Sequence, residues 1–288
     1  MSSTTRAWRI REEALLCPDA PFGIMGVLNV TPDSFYEPSR AGALPKAIDY
    51  ALSLRERGAD ILDLGGESTR PLTNGVGASP VAPKEERARI HPLFCAVQKQ
   101  APDTVISIDT WHSETAAHFL DLGAAIINDI SGGLWDPEML PVVAQYKPGY
   151  VLTYAQNTYA RMHAIRDTDD IVDDALSFFE AGLSRISKAG LAEDHVVLDP
   201  GIGFGMTVQQ TVRLLANIDQ LTTFGRPLLI GIAEKRFLNA LPGLEGYDRV
   251  VATQIATALL LQRGVFWHRV HHVARARQAL LLSSSISQ

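Results

Sequence analysis

The sequence predicts an α/β protein of one domain, a (β/α)8 TIM barrel, and three observations carry that reading. Short apolar runs alternate with amphipathic stretches, eight such units can be counted, and polar residues gather immediately after the apolar runs. The alternation marks βα units with a parallel sheet, and a sheet of that size can close on itself. A doubly wound α/β sheet is the alternative, but it usually carries GxGxxG after its first strand, and none follows Leu28. The chain of 288 residues is also close to the roughly 250 typical of a barrel.

The strands are predicted at Phe22–Leu28, Asp60–Leu64, Val105–Ile108, Ala125–Ile130, Tyr150–Tyr154, His195–Leu198, Pro227–Ile232 and Val265–Val270. Between them lie helical patterns. Ala47, Ile48, Ala51, Leu52 and Leu54 recur near the 3.6 period and leave Lys46, Arg55 and Glu56 for solvent. From Thr168 to Gly190 an Asp-rich first turn suits the helix dipole and a glycine ends the run. Residues 1–21 read as an N-terminal extension packed on a barrel formed by 22–288. Pro71–Pro83 is loop-like throughout, as functional loops on barrel tops often are.

Composition narrows the function. With 46% hydrophobic and 20% charged residues, a packed globular fold is expected. A net charge of −6 without any basic run argues against nucleic acid as a partner. No apolar segment reaches signal-peptide or membrane-spanning length, so a cytoplasmic protein without a membrane partner is expected. Cys17 and Cys95 stand far apart without metal-ligand spacing and read as reduced, buried thiols.

In a barrel of this kind the active site lies where strands end. The first strand ends in Asn29-Val30-Thr31-Pro32-Asp33-Ser34-Phe35 and the second in Asp63-Leu64-Gly65-Gly66-Glu67-Ser68-Thr69-Arg70-Pro71. Ser107-Ile108-Asp109-Thr110 follows the third, Asn128-Asp129 the fourth, and Asp199-Pro200-Gly201-Ile202-Gly203-Phe204-Gly205 the sixth. Lys235 follows the seventh and Arg269-Val270-His271 the eighth. Any one of these could be a helix cap, a turn or a loop ion pair, and GIGFG alone is a weak phosphate signal. Their gathering on one rim points to a ligand site. Asp109, Asn128 and Asp199 are acceptors suited to a ring edge rich in N–H donors, such as a 2-amino-4-oxo pyrimidine. Asn29, Arg269 and His271 could hold an anion, with a metal ion beside the amide.

Together, NVTPDSF, GGESTRP, SIDT, INDI, DPGIGFG and RVH occur in an order that resembles the dihydropteroate synthase family, over about Phe22 to Val273. The resemblance implies a (β/α)8 barrel that transfers a dihydropterin-6-ylmethyl group from its diphosphate ester to p-aminobenzoate, assisted by Mg2+. It implies that Asp109, Asn128, Asp199, Phe204 and Lys235 hold the pterin, and that Asn29, Arg269 and His271 receive the diphosphate, with Asn29 also meeting the metal. Asp109, Lys235 and Arg269 would carry the chemistry. Thr31, Asp33, Phe35, Thr69, Arg70 and Pro71 would lie on loops that close over the site and meet the second substrate. Family members are often dimeric, so a homodimer is expected.

The chain departs from the family at several positions. Ala233-Glu234-Lys235 stands where Ser-Arg-Lys is common, Thr153-Tyr154-Ala155-Gln156-Asn157 where Met-His precedes Gln-Gly, Met206 where a lysine follows the glycines, and His272 where an aspartate follows RVH. Glu234 is therefore expected to make the aminobenzoate side less favourable to an anion. The alternatives are a homologue using another acceptor, methyl transfer included, and a non-catalytic pterin binder. Survival of Asn29, Arg269 and His271 favours an enzyme.

Overall fold

The computed structural model describes residues 7–11, 14–31, 43–68, 80–155, 158–165 and 168–286. A short antiparallel hairpin, β1 (Trp8–Arg11) and β2 (Ala14–Leu16), leads into β3 (Gly23–Asn29), α1 (Ala43–Glu56), β4 (Ile61–Gly65), α2 (Pro83–Gln100) and β5 (Val105–Asp109). The alternation continues through α3 (Ser113–Asp121), β6 (Ile126–Asp129), α4 (Met139–Tyr146), β7 (Gly149–Thr153), α5 (Ile171–Ala189) and β8 (Val196–Asp199). It ends with α6 (Val208–Ala216), β9 (Leu229–Ile230), α7 (Phe237–Ala240), α8 (Arg249–Gln262), β10 (Trp267–Val270) and α9 (Val273–Ile286).

Strands β3 to β10 form one parallel sheet in the order β8-β7-β6-β5-β4-β3-β10-β9. The ends meet where Leu198 N donates to Pro227 O at 3.0 Å and Leu198 bridges Leu228, so the barrel closes. Every predicted strand is present with its ends adjusted: Phe22–Leu28 becomes Gly23–Asn29, Val105–Ile108 extends to Asp109, and Pro227–Ile232 contracts to Leu229–Ile230. The predicted helix from Thr168 starts at Ile171, because the Asp170 side chain accepts from Val172 N at 2.9 Å and caps it; Gly190, at φ 105°, ends it.

Strand periodicity makes two cores. Outward residues such as Leu62, Leu64, Ile106, Ile108, Leu152 and Leu198 pack against helix residues Ile90, Phe94, Phe119 and Phe179. Inward residues Met25, Ile61, Ile126, Val151, Val197, Leu229 and Trp267 fill the lower barrel together with Trp8 and Ile10 of the hairpin. Trp8 is wholly buried, meets the Trp267 ring edge-on at 5.6 Å and donates its Nε1 to His195 O at 2.7 Å. The WRIR alternation is what turns Trp8 and Ile10 inward and Arg11 outward.

One expectation fails. Cys17 and Cys95 are exposed, not buried. Cys95 sits one turn from His91 on α2, with Sγ 3.5 Å from His91 Nε2, off the buried face that Ile90, Leu93, Phe94 and Val97 form. No helix among the described residues is long and apolar enough to cross a membrane.

Candidate active site

Two residues beyond the apolar layer, the same inward positions turn polar: Ile61 gives way to Asp63, Ile126 to Asn128, Val151 to Thr153, Val197 to Asp199 and Trp267 to Arg269. The period of two that builds the plug therefore also builds the site. Arg269 is its centre. Its Nε donates to Asp63 Oδ2 at 2.7 Å and its Nη2 to Asp109 Oδ2 at 2.6 Å, while Asn128 Nδ2 donates to Asp63 Oδ2 at 3.0 Å.

Above this layer lies a pocket of about 410 Å³ including its opening to solvent. Asp109, Asn128, Asp199, Phe204, Lys235 and Arg269 line it, with Ile130, Thr153, Gly201, Ile202 and Gly231 between them. Asp199 Oδ1 accepts from Gly201 N at 2.8 Å. That turn needs glycine: Gly201 has φ 64°, and a Cβ there would stand 2.5 Å from Tyr154 O. Lys235 Nζ lies 4.9 Å over the Phe204 ring, whose plane is stacked with the His163 imidazole at 5.9 Å.

Burial dominates the electrostatics. It raises Asp109 above the ordinary carboxylate range; Arg269 opposes this, and Asp63 and Glu67 add to it. Asp199 is pushed up to about 6 by burial, against the Gly201 N–H and the Lys235 charge. Lys235 is brought down to about 8 by burial and the Arg269 charge, despite Asp199 and Asp109. Burial also works against the Arg269 charge, but Asp63 and Asp109 outweigh it and hold the guanidinium above its ordinary value.

The remaining predicted residues divide. Asn29 and His271 do not line the pocket. A Cβ on Gly65 would stand 3.4 Å from Asn29 Oδ1 and 3.5 Å from Asp109 Oδ2, so both side chains lie close to this glycine. His271 follows the end of β10, and its backbone carbonyl accepts from Tyr50 Oη at 3.3 Å. Thr31 is buried. Asp33, Phe35, Thr69, Arg70 and Pro71 lie outside the described residues.

Ala233 and Glu234 lie at the edge of this arrangement. Neither Ala233 nor Glu234 lines the pocket, and Glu234 Oε1 lies 3.5 Å from His272 Nε2 at the rim. Two departures noted separately in the sequence are thus neighbours in space. Of the fifth-strand substitutions, Thr153 faces the pocket, whereas Tyr154 turns outward to donate to Asp174 Oδ2 at 2.7 Å.

Asp63 and Glu67 belong to this arrangement beside the predicted residues. A carboxylate inside the apolar run Ile61–Gly65 was the available signal for Asp63, since its inward parity is shared with Ile61. Glu67 joins neighbouring loops by accepting from Val81 N and Trp111 Nε1, both at 2.8 Å. Asp129, quoted beside Asn128, points the other way and caps its own turn by accepting from Ser131 N and Gly133 N.

Residues 25–271 match the pterin binding enzyme family. A dihydropteroate synthase of Synechocystis sp. is 35% identical over 264 residues, covering 91% of this chain and 89% of that protein. Among solved structures, Xanthomonas albilineans dihydropteroate synthase with 4-aminobenzoic acid superposes with a TM-score of 0.87 at 33% identity, covering 99% of both chains. The same enzyme in complex with 7,8-dihydropteroate superposes at 0.83 and 30%, covering 98% of both. With fold, strand-end chemistry and full-length similarity in agreement, the chain belongs to the pterin-binding enzyme family, that of the dihydropteroate synthases.

Proposed function

We propose that this chain condenses (7,8-dihydropterin-6-yl)methyl diphosphate with p-aminobenzoate to 7,8-dihydropteroate and diphosphate, as a transferase of folate biosynthesis. The observation that carries the reading is the one pocket into which Asp109, Asn128, Asp199, Lys235 and Arg269 converge from separate strand ends. Relatives of the same length solved with 4-aminobenzoic acid and with 7,8-dihydropteroate support it.

In this reading the ring edge, rich in N–H donors, enters the pocket and pairs with Asp109, Asn128 and Asp199. Lys235 donates to a ring acceptor, and Phe204 packs beside it. The amine nitrogen of aminobenzoate bonds to the pterin methylene as the C–O bond to diphosphate breaks, and the nitrogen then loses a proton. Negative charge grows on the leaving oxygen, so donors aimed there act selectively on the transition state. Arg269 has more N–H donors than its bonds to Asp63 and Asp109 use, and with Asn29 and His271 it receives the diphosphate. Carboxylates beside the ring favour the positive charge on the methylene. Thr31, Asp33, Phe35, Thr69, Arg70 and Pro71 exclude water and meet the second substrate.

The donor set near Asn29 fits Mg2+. The ion takes hard oxygen ligands, commonly one or two from protein with the rest from phosphate and water, and the amide oxygen of Asn29, at the end of β3, is such a donor. Asn29 would hold it, and when bound it would neutralise diphosphate charge.

Val251, Ile255 and Leu259 are each more than half exposed at successive turns of α8. Leu282 and Ile286 add apolar exposure on α9, which packs against α8. This face supports a homodimer, which sedimentation equilibrium tests. Two exposed, unpaired cysteines suit the reducing cytoplasm.

The decisive experiment incubates purified protein with the pterin diphosphate, Mg2+ and p-aminobenzoate and follows dihydropteroate by mass spectrometry. Product at enzymic rates supports the proposal. Pterin binding without product, by calorimetry, would leave only a binder.

A further inference from the structure

Glu234 and His272 lie outside the pocket, yet Glu234 immediately precedes Lys235, which lines it. Glu234 has φ 53°, one of two described non-glycine residues at positive φ. A side chain in that conformation costs about 1–2 kcal/mol, so the surroundings must hold it there. Three contacts do. The Glu234 N–H donates to Thr253 Oγ1 at 2.9 Å, and its carbonyl accepts from Arg249 Nη1 at 3.1 Å, which ties the backbone to α8. Its carboxylate reaches across the rim to His272, just beyond β10. The next residue is Lys235, whose N–H closes the turn on Ile232 O at 3.2 Å.

We infer that the Glu234–His272 pair is a positioning device: it fixes the left-handed turn between β9 and α7, and so aims Lys235 over Phe204 into the pocket. The pair touches no substrate. The position of Lys235 is sensitive to such a device because β9 is only two residues long and supplies little ladder of its own. Neighbouring contacts agree with this role, since Tyr50 of α1 binds the carbonyl of His271, immediately before His272, and so steadies the other end of the bridge. The inference rests on the reading of Lys235 as a pterin ligand.

The test is a charge-exchange cycle read in steady-state kinetics. His272→Asp sets two carboxylates face to face and should raise KM for the pterin diphosphate about two- to fivefold, the range of an exposed pair. KM for p-aminobenzoate should be unchanged. Combining His272→Asp with Glu234→Arg sets opposite charges face to face and should recover the KM. Glu234→Gly accepts positive φ without strain, so it should raise the same KM without lowering Tm, which separates loss of the pair from failure to fold. In a Lys235→Met background, His272→Asp should have no further effect. Unchanged KM in His272→Asp and Glu234→Gly, with Lys235→Met impaired, would overturn the inference alone; so would absence of recovery in the exchanged pair. An unimpaired Lys235→Met would overturn the reading of Lys235, and the inference with it.

Discussion

The lower and upper halves of the barrel interior are built from the same strands, two residues apart, by opposite rules. Below, Ile61, Ile126, Val197 and Trp267 close over Trp8 as a packed apolar plug, with Trp8 Nε1 bonded and Trp267 Nε1 buried without a partner among the described residues. Above, Asp63, Asn128, Asp199 and Arg269 occupy equivalent positions, and Asp63 Oδ1, Ser107 Oγ and Thr153 Oγ1 are buried without partners among the described residues. Burying polar groups in that state is unfavourable, by about 1–3 kcal/mol each. The upper layer persists because the lower layer and the helix shell stabilise the strands that carry it. Stability and chemistry are thus divided along each strand, and substitutions in the two halves should separate them.

Arg269→Ala should have the largest effect. It leaves Asp63 and Asp109 without their shared cation and removes a donor to the leaving group. Loss of a buried pair destabilises by about 3–5 kcal/mol, and kcat/KM should fall by about 10²–10³ or more. Calorimetry gives the sharper reading: affinity for the pterin diphosphate should fall far more than for bare pterin. Equal losses would make Arg269 purely structural.

Trp8→Ala probes the opposite end. Emptying a fully buried indole site should destabilise by about 3–5 kcal/mol in denaturant titrations. Below the unfolding transition, KM for both substrates should stay near wild type. A KM change comparable to that of an upper-layer variant would break the division between the halves.

The same division explains what the sequence made legible. Strand parity and the alternation of apolar and polar runs are local, so the eight strands and the rim residues Asp109, Asn128, Asp199, Lys235 and Arg269 could be read directly. Asp63 could have been read too, because a carboxylate in ILDLG is exceptional; its significance depends on Arg269, which lies 206 residues away. The Glu234–His272 contact was not legible for a related reason. Spacing gives no sign that the chain turns left-handed at that residue and lays its carboxylate against His272. Contacts between distant strand ends are set by barrel closure, which no local pattern records.

Glu86, on α2 beside the upper layer, should make stability depend on pH. Burial pushes its carboxyl up to about 8, although it accepts from Thr110 Oγ1 at 2.9 Å. Its folded pKa lies above its unfolded one, so the native state holds the extra proton. Stability is therefore highest below about pH 4.5 as far as this group is concerned, and is lost as pH rises to about 8. Glu86→Gln keeps an acceptor without the charge. At pH 8 it should stabilise by about 2–4 kcal/mol, and the fall in Tm across this interval should flatten. It should not vanish, because Asp109 and Asp199 are raised in the same direction. An unaltered pH profile in the variant would mean that Glu86 ionises normally.

The smallest effect should come from Phe204, and it refines the upper half instead of dismantling it. If Asp199 must be ionised and Lys235 protonated to hold the ring, kcat/KM should trace a bell whose limbs lie near 6 and 8, where burial has moved the two groups. Since both charges share one pocket, the limbs belong to the coupled site and not to either residue alone. Phe204 lies under the Lys235 ammonium and favours its charged form by about 0.5–1 kcal/mol. Phe204→Leu keeps an apolar surface but removes the ring's quadrupole. The upper limb should then move about half a pH unit lower while the lower limb stays in place. The change concerns the lysine proton, so Tm measured near pH 6 should barely alter. A fall in Tm with both limbs fixed would show that Phe204 acts by packing alone, and that the upper layer holds its lysine without help from the aromatic face.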